Sequence, residues 1–156
     1  MEDIEKFIRD LNWNNPKDIT DKAIQELLKV NEEEAVLLAN QSNDLCNKSC
    51  WHNASIVLKE IGYPRNRLAL PYLMNWFQDV NWPGVPVVVE LLKDIDIETL
   101  VPHIKHAMEK ALRDNDSFWA FGILYLLKEL NISNSKLKES NLFNQLVELS
   151  QNDTFS

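Results

Sequence analysis

The residues with the clearest capacity for chemistry form the string Cys46-x-x-x-Cys50-x-His52. Cysteines at i and i+4 share one face of a helix and can ligate a metal if two further ligands complete the tetrahedron. The remaining histidines, His103 and His106, stand at i and i+3, far along the chain. A metal site legible in sequence shows two close ligand pairs of known spacing, and this arrangement does not. We read Cys46 and Cys50 as small packing residues and the histidines as surface residues. No metal and no cofactor is expected. Cys50 precedes Trp51-His52, but neighbours on a helix point their side chains apart, so a Cys–His nucleophile is not expected either.

Carboxylates crowd a second stretch, at Asp79, Glu90, Asp94 and Asp96. Paired carboxylates do acid–base work only where the site shifts one of them. At helix turns such residues usually cap free amides, which is the reading adopted. No G-x-S-x-G string is present, and Ser55 and Ser117 have no evident His–Asp context. No catalytic residue is therefore assigned. The nearest basic cluster, Arg65 and Arg67 with Lys59 before it, is slight for a nucleic-acid contact.

The remaining candidate is the connection from Trp76 to Gly84, with Trp76, Phe77, Asp79, Asn81 and Trp82. Phe77 should face the core. The tryptophans have two readings, as packing wedges or as a recognition patch, since tryptophan is enriched in binding hot spots. The candidate interaction patch is Trp51, Trp76, Asp79, Asn81 and Trp82.

Helices must position these residues. Ile4, Phe7, Ile8 and Leu11 have helical spacing in a segment over 2–11 that Asn12–Pro16 breaks. A second helix runs over 16–29. Asn31, with Glu34 three residues later, has the form of a capping box for a short third helix. Residues 40–49 read as a polar loop. A fourth helix covers 50–61 and stops at Gly62, with Pro64 beyond. Further helices are predicted over 67–78, 83–94, 97–113, 117–130 and 137–150, with a frayed tail at 151–156. The β-branched run at 85–89 is read as helix, because Val85, Val88, Val89, Leu92 and Ile95 keep helical spacing. The predicted core comprises Leu58, Ile61, Leu70, Leu73, Phe77, Val88, Leu92, Ile95, Ile104, Met108, Leu112, Leu124, Leu127 and Leu130.

Composition narrows the class. The chain has 156 residues, 16 basic and 24 acidic, for a formal charge of -8. At 45% hydrophobic it is too apolar for disorder. Three glycines cannot build a Gly-rich phosphate loop and argue against an all-β fold, whereas 22 leucines suit helices. The charged start, MEDIEKFIRD, does not read as a signal peptide, and no stretch approaches the ~20 apolar residues of a membrane span. A cytoplasmic location is expected, with no nucleic-acid and no membrane partner. Residues 1–34 hold 10 acids and 5 bases, a net of -5, which favours a basic partner.

An internal repeat sharpens the fold. VLKEI (57–61), LLKDI (91–95) and LLKEL (126–130) recur at offsets of 34 and 35, with a weaker ELLKV at 26–30. Leu70-Pro71-Tyr72-Leu73 corresponds to Val101-Pro102-His103-Ile104. A period near 35 with two helices per unit means stacked helical hairpins. Leu70 to Leu73 opening one helix, Asp79 at the turn, and Leu92 to Ile95 closing the next resemble the HEAT pattern. Pro86 stands where HEAT repeats often carry an arginine. The fold class expected is all-α, a HEAT-like α-α superhelix of three to four stacked helical hairpins, as a single domain over 1–150.

Residues 51–84 resemble a family of bacterial domains, the domain of unknown function 5071. The marks are Trp51, Asn53 and Ala54, then Ile61-Gly62-Tyr63-Pro64, then Trp76-x-Gln78-Asp79-x-Asn81-Trp82-Pro83-Gly84. The resemblance covers roughly 45–130 and implies a small HEAT-like helical domain with no assigned activity. The function expected is a non-catalytic protein-protein interaction module with a protein partner, basic in character, of the kind an acidic immunity protein would neutralise. The alternative is a small enzyme or ligand-binding protein with its site in a concave groove.

Overall fold

In the computed structural model, residues 3–152 are described. Every regular element among them is helical, and no strand occurs. The helices are α1 (Ile4–Asp10), α2 (Lys17–Leu27), α3 (Glu32–Ala39), α4 (Lys48–Ile61), α5 (Leu70–Met74), α6 (Val85–Lys93), α7 (Ile97–Arg113), α8 (Ser117–Glu129), α9 (Asn134–Leu137) and α10 (Ser140–Gln151). Short 3-10 turns at Arg67–Ala69 and Asn75–Gln78 flank α5. Residues 1–2 of the first predicted helix and 153–156 of the predicted tail lie outside the described residues. The chain divides into two compact units, residues 1–73 with 81–94, and residues 74–80 with 95–156.

In the first unit α4 is the central helix. It packs against α1, α2, α3 and α6. Its buried positions Cys50, Ala54, Val57 and Leu58 fall at i, i+4, i+7 and i+8, one helical stripe. Val57 and Leu58 are fully enclosed, each contributing about 1.5–3 kcal/mol of apolar burial. Asn47 caps the helix through the Ser49 amide, 2.9 Å. Gly62, at φ 70, ends it as the sequence predicts. The Asn31–Glu34 capping box also forms, with bonds of 2.8 and 3.0 Å.

Long-range polar bonds tie this unit together. Asn53 Nδ2 donates to the Leu11 carbonyl at 2.7 Å. Asn66, only 1% exposed, donates to the Leu58 carbonyl at 3.0 Å. Arg65 Nη2 donates to the carbonyls of Leu28, at 2.7 Å, and Val30. Those carbonyls follow the end of α2, where a cation is favoured.

In the second unit α8 is central, packed against α7, α10 and the 3-10 turn at Asn75–Gln78. On α7 the buried residues Leu100, Ile104, Ala107, Met108 and Ala111 make a regular stripe. Asp116 caps α8 through the Trp119 amide, 3.0 Å.

Two sequence expectations are revised. The helix predicted over 67–78 is broken, with α-geometry only at Leu70–Met74. The break follows Met74, whose carbonyl accepts the indole N–H of buried Trp119 at 3.1 Å. Immediately beyond, the Phe77 backbone lies against Gly122. The helix predicted over 97–113 forms as α7 with Pro102 inside it, where the missing N–H leaves the ladder one bond short. The helix predicted over 137–150 starts later, as α10 at Ser140, and is preceded by the one-turn α9, the two separated at Lys138 with φ 57.

Of the predicted core, Ile61, Leu112 and Leu124 are half-buried, and the others are buried. All four copies of the repeated string fall on helix C-termini, those of α2, α4, α6 and α8.

Candidate functional site

The packing of α4 on α6 brings Trp51 to Trp82. Their ring centroids are 5.3 Å apart with planes at 70°, an edge-to-face pair. Trp51 lies in the first turns of α4, and Trp82 lies just before Gly84, whose φ of 91 turns the chain into α6. Lys48, the first residue of α4, places Nζ 5.8 Å from the Trp82 ring centre, within cation–π range. Both rings are half-buried, and Asn81 beside them is exposed. The first unit thus presents an aromatic pair with one cation on it.

Trp76 and Asp79 belong to the second unit. Trp76 has 0% exposure, so its ring offers no surface to a partner and serves packing. Asp79 is half-buried. Of the other carboxylates, Glu90, Asp94 and Asp96 are exposed, and Glu90 pairs with Lys93 at 3.1 Å.

Cys46 and Cys50 are joined as a disulfide, their Cα atoms 5.9 Å apart. This corrects the reading of two free packing thiols. The i, i+4 spacing that suggested shared ligation also fits a Cα separation in the ordinary disulfide range. The i, i+4 spacing was the available signal, read from the sequence as metal ligation or packing. Among the described residues no group of three or more His, Cys, Asp or Glu side chains is placed to hold a metal.

The disulfide borders an open cleft of about 720 Å³ along the 40–47 loop, lined in part by Arg9, Asn12, Gln41, Cys46, Lys48 and Trp51. Its asparagines are partly occupied by neighbouring backbone. Asn12 Oδ1 accepts the Asn14 amide at 2.9 Å, and Asn43 Oδ1 accepts the Leu45 amide at 3.0 Å.

The arginines weighed for nucleic acid have internal duties. Arg65 holds the end of α2, and Arg67 forks onto Glu32 at 2.8 and 3.1 Å. That bond holds the Glu32 carboxyl below the usual carboxylate range. Sequence reasoning also missed two exposed rings on α8, Phe118 at 68% and Phe121 at 54%. Their i, i+3 spacing was the available signal, masked because the whole helix is apolar.

These elements define an all-helical protein whose candidate site is a tryptophan pair at the start of one helix and the entry to another. Residues 52–155 match the family described as a domain of unknown function, DUF5071, and the chain belongs to that family. The match begins one residue after Trp51 and extends beyond the 45–130 stretch read from the sequence. No curated protein and no solved structure matches the chain.

Proposed function

We propose that this chain is a non-catalytic protein-interaction module that engages a basic protein surface through Trp51 and Trp82. The observation that carries the reading is the edge-to-face pair at 5.3 Å. Two large rings held rigidly by each other lose little freedom on binding, which is the property of a hot-spot anchor. Asn81 supplies a polar rim. Exposed Glu5, Asp18 and Glu33 belong to the same unit and favour a positively charged partner. Lys48 already covers part of Trp82, so an incoming arginine would displace it or take the other face.

The helix-end repeats at 34–35 residue offsets support reading the helices as HEAT-like hairpins, and the immunity-type inhibitor is the specific form proposed within this class. The polar cleft along 40–47 supports a second reading, a small-ligand binding protein.

The test is affinity capture from a lysate of the source cells with wild type and Trp82→Ala, both checked by circular dichroism. The expected result is a basic partner retained by wild type, lost in the folded variant, and weakened by salt. A partner captured equally by both proteins would refute the assignment to Trp82.

A further inference from the structure

The function proposed above makes no use of the Cys46–Cys50 bond. We propose that it is a thiol–disulfide exchange site, with a dithiol as its substrate class. The redox state of the ring it closes then sets the order of loop 40–47.

Access favours one sulfur. Cys46 is half-exposed and lines the open cleft, whereas Cys50 is 2% exposed. Cys46 Sγ is therefore the sulfur of the pair that a thiolate in the cleft can reach.

The leaving group is placed to accept charge. Cys50 is the third residue of α4, a helix of 14 residues, so it sits at the positive end of the helix dipole. The positive end of a helix favours a thiolate there, offsetting the cost of burial. A better-stabilised leaving thiolate departs faster.

The step balances without a further reagent. The reagent's thiolate attacks Cys46 Sγ and forms a mixed disulfide, and the Cys46–Cys50 bond pair leaves on Cys50 Sγ. The reagent's second thiolate then attacks its own sulfur in the mixed disulfide and releases Cys46. The reagent is oxidised by two electrons to a disulfide, and its two protons end on the two cysteines.

The consequence is local. The ring spans 46–50 and contains Asn47, which caps α4, and Lys48, which lies over Trp82. The loop before it is held by short-range bonds, Asn40 Oδ1 to the Ser42 amide at 3.0 Å and Asn43 Nδ2 to the Leu37 carbonyl at 2.7 Å. Besides the main chain, the disulfide is a covalent cross-link between this loop and α4. Its reduction leaves the loop to its short-range hydrogen bonds and the Asn47 cap.

The chain provides its own assay, because trypsin cleaves after Lys48, inside the ring. Protein oxidised with glutathione disulfide should yield peptides 30–48 and 49–59 as one linked mass. Native protein treated with excess glutathione and quenched in acid should carry the adduct on peptide 30–48. Dithiothreitol should then open the bond in the folded state, with circular dichroism unchanged, so that N-ethylmaleimide added after acid quench and unfolding labels both cysteines. Amide exchange should accelerate across 40–47 and stay constant in α6. The proposal is overturned by thiols that stay free under oxidised glutathione, by an adduct on peptide 49–59, or by a bond that opens only in denaturant. Unchanged exchange across 40–47 would also overturn it.

Discussion

Gly122 and Phe77 touch backbone to backbone: a Cβ on Gly122 would lie 1.7 Å from the Phe77 carbonyl oxygen and 2.8 Å from its carbon. No rotamer relieves a clash with main chain. Gly122→Ala gains helix propensity of about 1 kcal/mol, but must push the 75–78 turn away from α8. The net expectation is a loss of about 1–3 kcal/mol, read as a lower midpoint in thermal unfolding by circular dichroism. A variant as stable as wild type would show that the turn moves freely.

Trp119 tests the other side of the same contact. Trp119→Phe keeps a buried ring but removes the N–H given to the Met74 carbonyl. The cost expected is about 1–2 kcal/mol in urea denaturation, part of it from a smaller ring and part from the lost bond. Trp119→Leu should cost more, since the ring is also lost.

Arg65 and Arg67 are two residues apart and should behave differently. Arg65 donates to the Leu28 and Val30 carbonyls, and Arg65→Ala should destabilise by about 1 kcal/mol. Arg67 pairs with Glu32 in solvent, and Arg67→Ala should leave the denaturation midpoint unchanged. Equal losses would contradict this difference in bonding.

Burial, and then the neighbouring His106, push His103 below the ordinary histidine range. The folded state therefore keeps His103 neutral at pH values where the unfolded chain protonates it. Its contribution is complete above the unfolded value of about 6.5 and is lost as pH falls from there through the folded value. His103→Gln should flatten the fall in stability over that window. Urea midpoints measured from pH 7.5 downward provide the comparison, and an identical acid slope in the variant would exclude His103 as the source.

Local signals in the sequence survived intact. The Asn31–Glu34 box, the Gly62 stop and the helical reading of 85–89 each depend on residues within one or two turns. Features set at long range did not. The interruption after Met74 depends on Trp119, 45 residues later, and no periodicity within 67–78 announces it. Trp76 and Trp82 looked equivalent as aromatic residues flanking one turn. Only packing distinguishes a ring with no exposed surface from one held edge-to-face and partly exposed. Leu112 and Leu124 carry the right residue type for the core, but they sit at the margins of their helix faces. The cysteine pair was visible as a spacing, while its bonding depends on how Asn47 leads the loop into α4.

Arg65 also has a bearing on the order of events at the ribosome. The carbonyl of Leu28 is made 37 residues before the side chain that satisfies it. At about 5–20 residues per second, the end of α2 waits roughly 2–7 s for its arginine, bonded meanwhile only to water. Nascent chains stalled before and after Arg65 has emerged should therefore differ in how firmly that end is held.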